Sequence, residues 1–167
     1  MPSPAWRPPR RYWQCPPPRS LKPWLLCTGS LTAALVRASR GEFRVRVLHE
    51  GWHVPTRDEQ RALGLPLGRV ARIREVALLG RGEVWVTARS VIPVATLRGR
   101  GGRLRYLRNR SLGTLLFKGR ARRGPLALRH TADGWERRSC FHYFGRPLLV
   151  RERFLPAIPA PSHGGLR

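Results

Sequence analysis

RVARIREVALLGRGEVWVTARSVIPVATL, residues 69–97, is the stretch on which the fold turns. Two runs rich in β-formers meet at Gly80-Arg81-Gly82, and a tight glycine turn between such runs predicts a β-hairpin. Side chains alternate across a strand, so Arg72 and Arg74 share a face with Val70, Val76 and Leu78. Glu75 shares the other face with Ile73 and Leu79, and in the second run Arg89 lies on the face of Trp85, Thr87 and Val91.

Upstream, EFRVRVLHEGWHV (residues 42–54) alternates with period two, placing Phe43, Val45 and Val47 against Arg44 and Arg46, which predicts a half-buried strand. Two short helices flank it. Ser30 is an N-cap for Leu31, Ala34 and Leu35 at helical spacing, with Gly41 just past the end. Thr56 stands three residues before Glu59, the spacing of a capping box. Downstream, residues 103–118 read as helix in two pieces, broken between Asn109 and Gly113. Residues 125–155 then read as three strands with turns at Asp133-Gly134 and Gly145-Arg146. The sum is about six strands joined largely by hairpins, without βαβ alternation. This predicts a single α+β domain whose mainly antiparallel sheet has helices packed against it.

The last strand, GRPLLVRERFLPAIP (residues 145–159), points Leu148, Val150, Glu152 and Phe154 one way and Leu149, Arg151, Arg153 and Leu155 the other. One carboxylate sits at the centre of an apolar row. Burying a lone carboxylate costs several kcal/mol unless it is paired, protonated or used. Inward arginines are its natural partners, because a guanidinium donates two parallel hydrogen bonds without losing its charge. Arg72, Arg74 and Arg89 are the candidates.

Composition bounds the rest. The 167 residues suffice for one core without disulfide or metal staples, and 41% apolar content excludes a disordered chain. There are 33 basic and 9 acidic residues, a formal net charge of +24, and only Lys22 and Lys118 are lysines. Such charge attracts polyanions, acidic membrane or small anionic substrates. The arginines run from Arg7 to Arg167 without one dominant block and no nucleic-acid reader motif accompanies them, so no dedicated nucleic-acid partner is expected. Cys15, Cys27 and Cys140 are odd in number and widely spaced, which supports neither a disulfide framework nor a cysteine zinc site. Residues 1–22 carry seven prolines and no apolar run, and read as a basic arm outside the core. A folded domain at 23–159 and a loose tail at 160–167 complete the expected organisation, and a cytoplasmic location with reduced thiols is the default.

HEGWH at residues 49–53 matches the HExxH zinc signature, which requires a helix to bring both histidines to one metal. Here it follows a strand, contains Gly51 and runs into Val54-Pro55, so the histidines are expected about 13 Å apart and no metal site is expected. GxGxxG, Walker and GxSxG motifs are absent. Cys140 near His142 reads as a small apolar residue in a sheet.

The order REVALLGRGEVWVTARSVIPVATL, SLGTLLF, GRPLLVRERFLPAIP closely resembles the bacterial chorismate lyases, from near Trp24 to Pro159. The resemblance implies a monomer with a six-stranded antiparallel sheet that converts chorismate into 4-hydroxybenzoate and pyruvate at the start of ubiquinone synthesis. It places ligand contacts at Leu31, Arg74, Leu112 and Glu152, with Arg74 and Glu152 as the catalytic pair. A methionine is familiar where Leu31 stands, and an arginine where His49 stands. Aromatisation drives the elimination, so no metal, nucleotide or redox cofactor is demanded. The rival classes are a small-ligand-binding domain of the same fold, as in GntR-type repressors, and a polyanion-binding protein. About 22 residues before the first helix are too few for the repressors' DNA-binding domain, which favours the lyase. The charge also leaves room for a peripheral contact with acidic membrane.

Overall fold

The computed structural model describes residues 5–12, 15–119 and 121–161. Seven strands form one wholly antiparallel sheet: β1 (Phe43–His53), β2 (Ala71–Gly80), β3 (Glu83–Pro93), β4 (Ala121–Arg123), β5 (Ala127–Thr131), β6 (Gly134–Tyr143) and β7 (Arg146–Phe154). Their order is β1-β2-β3-β7-β6-β4, and β5 pairs with β6 beyond the end of β4. The sheet therefore has six positions across. β4, three residues long, is the strand that the periodicity did not reveal.

The decisive hairpin is β2–β3. Arg81 (φ 51°) and Gly82 (φ 81°) are both left-handed, the turn whose twist matches that of the flanking strands. α2 (Leu31–Ala38) starts where Ser30 accepts a hydrogen bond from the Ala33 amide. α3 (Arg57–Leu63) starts at a complete Thr56–Glu59 capping box and ends at left-handed Gly64. α1 (Lys22–Leu26) and α4 (Leu112–Lys118) are single short helices. Residues Gly99–Tyr106 form a 3₁₀ segment, not the first of two α-helical pieces. Gly99, Gly101 and Gly102 weaken an α-helix there, and Gly101 packs so tightly that a Cβ would lie 1.7 Å from the Thr96 carbonyl oxygen.

Apolar burial separates the two faces. On one, α1 and α2 cover Val76, Leu78, Trp85, Val86 and Phe154 with Trp24, Leu25, Leu31 and Leu35. Beside it, Leu104, Leu107, Leu112 and Leu116 pack on Ile92, Phe141, Leu148 and Val150. Full burial of such side chains contributes about 1.5–3 kcal/mol each. On the opposite face α3 packs Leu63 against Ala71, Val91 and Leu149.

The described part of the arm is not free of this body. Arg7 exchanges backbone hydrogen bonds with Leu128, and Tyr12 meets Trp135 edge-on and donates to the Leu128 carbonyl. These aromatic contacts join the first cluster, and the arm's regular structure is one 3₁₀ turn at Pro9–Tyr12 among the described residues before α1. Of the tail at 160–167, residues 162–167 lie outside the described residues.

Arginine–carboxylate pairs lock the face under α3. Glu59 accepts from Arg89 Nε (2.7 Å) and Nη2 (3.0 Å), while Glu136 accepts from Arg129 and Arg153. Burial alone would raise both carboxyl pKa values, but these hydrogen bonds outweigh it and hold both below the ordinary value. A carboxyl depressed on folding adds stability that is complete above the unfolded value near 4.3 and lost as pH falls through the lowered folded one. The urea midpoint is therefore expected to hold from pH 7 to about pH 5 and to fall below about pH 4. In Glu59→Gln the acid-side fall is shallower, and an unchanged acid profile in that variant would remove Glu59 from the effect.

Candidate active site

Between the two apolar clusters the sheet face is left polar. Arg74, Ser90, Glu152, Arg137 and Arg123 line one cavity together with Val76, Ala88, Val150 and Phe141. The N-terminal ends of α2 and α4 roof it with Leu31, Thr32, Leu112 and Gly113. All four residues expected to contact ligand, Leu31, Arg74, Leu112 and Glu152, thus line the same space. The roof is tight. The Thr32 and Ser111 hydroxyls lie 2.5 Å apart, Ser111 also accepts from the Gly113 amide, and a Cβ at Gly113 would lie 2.9 Å from Thr32 Oγ1. The free volume is about 30 Å³, against about 300 Å³ or more for a typical ligand pocket.

Arg74 is 2% exposed. Its Nη2 donates to the carbonyls of Arg108 and Arg110, tying the segment that follows the 3₁₀ turns to the sheet. Its Nε is buried without a hydrogen-bond partner among the described residues, with Glu50 at 3.8 Å. Burial lowers its pKa, and Glu50 opposes that. A buried guanidinium lining a cavity with a donor left unsatisfied suits a carboxylate ligand.

Glu152 pairs not with Arg72, Arg74 or Arg89 but with Arg137, its cross-strand neighbour, whose Nε donates to Oε2 at 2.5 Å. Arg137 is itself buried, and its Nη1 points at the carbonyls of Trp24 (3.0 Å), Leu25 (3.4 Å) and Cys27 (2.9 Å). Carbonyls at the end of a helix have no partner within it, so one guanidinium satisfies the end of α1 and holds Glu152 in place. Arg123 donates to Ser139 Oγ and to the Cys27 carbonyl, and burial lowers its pKa, with Arg137 adding to that and Glu152 opposing it. Arg89 belongs to the opposite face, bound to Glu59 and Glu75. Arg72 lies beside the cavity, paired with Glu50 at 3.3 Å and set over the Trp52 ring.

Two other expectations meet the structure here. His49 and His53 are not about 13 Å apart: their Nε2 atoms lie 2.8 Å from each other. A register shift between Val47 and His49 bends β1, and Gly51 leaves no side chain between the rings. No third metal-ligating side chain joins them among the described residues. Cys140 faces away from the cavity, 3.4 Å from the Ala62 carbonyl, and burial pushes its thiol pKa up.

A buried arginine-lined cavity on an antiparallel α+β sheet is chemically suited to a small, anionic ligand. The fold recurs in solved structures. The C-terminal domain of histidine utilization repressor from Pseudomonas syringae pv. tomato aligns with TM-score 0.55 at 7% identity, covering 69% of this chain and 92% of that one. The effector domain of PhnF from Mycobacterium smegmatis aligns with TM-score 0.50 at 13% identity, over 75% of this chain and 90% of that one. These likenesses show the fold. Sequence goes further: the family model for chorismate lyase matches residues 3–160. A Methylococcus capsulatus protein named "Probable chorismate pyruvate-lyase" is 42% identical over 155 residues, 83% of this chain and 96% of that one. One of the same name from Pseudomonas savastanoi pv. phaseolicola is 40% identical over 96% of this chain and 92% of its own. The chain belongs to the chorismate lyase family, and it is an enzyme of the lyase class.

Proposed function

We propose that this enzyme converts chorismate into 4-hydroxybenzoate and pyruvate, the reaction that feeds ubiquinone synthesis, and that it acts as a cytoplasmic monomer. The observation that carries the reading is the buried Arg74, whose Nε has no hydrogen-bond partner among the described residues and Glu50 at 3.8 Å, lining the same cavity as the inward Glu152. Chorismate is a dianion, with one carboxylate on its ring and one on its enolpyruvyl side chain. Arg74 binds one carboxylate, helped by backbone amides near Leu31 and Leu112. Arg123 and Arg137 keep the other end of the cavity positive.

The elimination breaks the ether bond between ring and side chain and removes the hydrogen from the ring carbon that bears the hydroxyl. The ring becomes aromatic, the side chain leaves as the enol of pyruvate, and a proton then converts the enol to the ketone. Glu152, held by Arg137, hydrogen-bonds the hydroxyl and assists the proton transfer. The cavity holds the substrate in its reactive conformation, and the roof of α2 and α4 residues, Leu31, Thr32, Leu112 and Leu116, shields it from water.

The test is to mix the purified chain with chorismate, without added metal or cofactor, and follow both products. Equimolar 4-hydroxybenzoate and pyruvate are expected. A folded sample that forms neither moves the function to ligand binding, the role of the same fold in the repressor domains. The net charge of +24 further predicts electrostatic steering of the dianion. The specificity constant should fall as ionic strength rises from about 0.01 M to about 0.15 M, where the screening length shrinks from about 30 Å to about 8 Å. A flat dependence dismisses steering.

A further inference from the structure

Basic residues run along the whole chain, but acids do not: none occurs between Glu83 and Asp133. That acid-free stretch contains the segment whose Arg108 and Arg110 carbonyls hold Arg74, followed by α4, which roofs the cavity. Arg98, Arg100, Arg103, Arg105, Arg108 and Arg110 follow one another within it, and every one is exposed. None makes an ion pair among the described residues, whereas the arginines under α3 are tied to carboxylates. A structural role accounts for the paired set, whereas of the exposed set Arg100 lies over the Phe144 ring and none neutralises a carboxylate among the described residues.

The same segment carries apolar surface. Between the 3₁₀ segment and α4 runs an outer groove of about 660 Å³, separate from the closed cavity. Leu107 and Leu115 lie at its base, and Arg103, Arg110 and Lys118 contribute to its lining. Tyr106 is 75% exposed beside it and Phe117, on α4, is 42% exposed. Cations around an aliphatic groove, with the exposed Tyr106 ring in its lining, match the water–lipid boundary, where phosphates meet acyl chains. A nucleic-acid backbone would use the cations but has no partner for the aliphatic base of the groove. No described helix is long and apolar enough to cross a membrane, so the contact is peripheral.

We infer that the face formed by Gly99–Tyr106 and α4 docks on an anionic lipid surface, with a lipid headgroup phosphate among Arg103, Arg110 and Lys118. Docking sets α4, which roofs the cavity, against the bilayer. The inference rests on charge and shape outside the cavity and does not depend on which substrate the cavity takes.

Sedimentation with vesicles tests it. The full chain is expected to bind phosphatidylcholine vesicles that contain about 30% phosphatidylglycerol and to leave pure phosphatidylcholine vesicles in solution. Each basic residue near such a surface raises partitioning about five-fold. The triple variant Arg103→Glu, Arg110→Glu, Lys118→Glu should therefore lose at least about 100-fold. A control with the same charge change on exposed residues elsewhere, Arg44→Glu, Arg46→Glu, Arg61→Glu, should lose less than about 10-fold. Tyr106→Ser should remove the part of the binding that survives high salt. Circular dichroism and thermal melting establish that each variant is folded. Equal losses in the two triple variants would reduce the effect to net charge and overturn the docking face. So would displacement of the bound chain by single-stranded nucleic acid at lower concentration than by lipid.

Discussion

Glu152→Gln leaves the chain folded and lowers kcat for chorismate by about 10²–10⁴-fold, the range for loss of a positioned acid–base group. Glutamine keeps the shape of the side chain, and its carbonyl oxygen still accepts from Arg137 Nε. The stability term is therefore small, and the melting temperature should stay within a few degrees of the parent. What disappears is the capacity to take or give a proton beside the substrate hydroxyl. Steady-state kinetics and a melting curve on the same preparation separate the two effects. Turnover within about two-fold of the parent would take Glu152 out of the chemistry and leave it a structural partner of Arg137.

Arg137→Met is expected to have the largest effect on stability. It strips Glu152 of its ion-pair partner and leaves the carbonyls of Trp24, Leu25 and Cys27 without the guanidinium that they face. Removing one member of a buried pair costs about 3–5 kcal/mol, because the other charge stays behind uncompensated. For a chain of 167 residues that lowers the melting temperature by about 6–20 °C. Arg137→Lys restores charge but only one donor centre, and should fall between. The double variant Arg137→Met, Glu152→Gln should recover part of the loss, since no orphaned charge remains. A melting temperature unchanged in the single variant would mean that water already satisfies Glu152 and the end of α1.

The difference between these two residues marks how far the chain could be read without its structure. Glu152 was legible because strand periodicity put a carboxylate in an apolar row. Its partner was not, because cross-strand partners depend on register, and register depends on the turn. Reading the turn at Gly145-Arg146 places Ser139 opposite Glu152. The structure turns one residue earlier, at Phe144-Gly145, so Tyr143 meets Arg146 and Arg137 meets Glu152. Phe144 adopts φ 49°, a left-handed conformation uncommon for a bulky side chain, and no turn rule selects it. The same dependence on local geometry hid the meeting of His49 with His53, which follows from an irregularity in β1.

By itself the sequence determined the hairpin at Arg81-Gly82, the capped starts of α2 and α3, the antiparallel α+β class and the inward direction of Arg74 and Glu152. Each follows from spacing within a few residues, where glycine conformations, capping hydroxyls and the two-residue strand period act locally. Only the tertiary structure decided which groups meet: Arg137 under Glu152, Arg89 on the opposite face, and the carbonyls of Arg108 and Arg110 on Arg74. Those meetings join residues 14 to 36 positions apart, so they are set by sheet register and by how a connecting segment folds back across the sheet, and neither is written in local spacing.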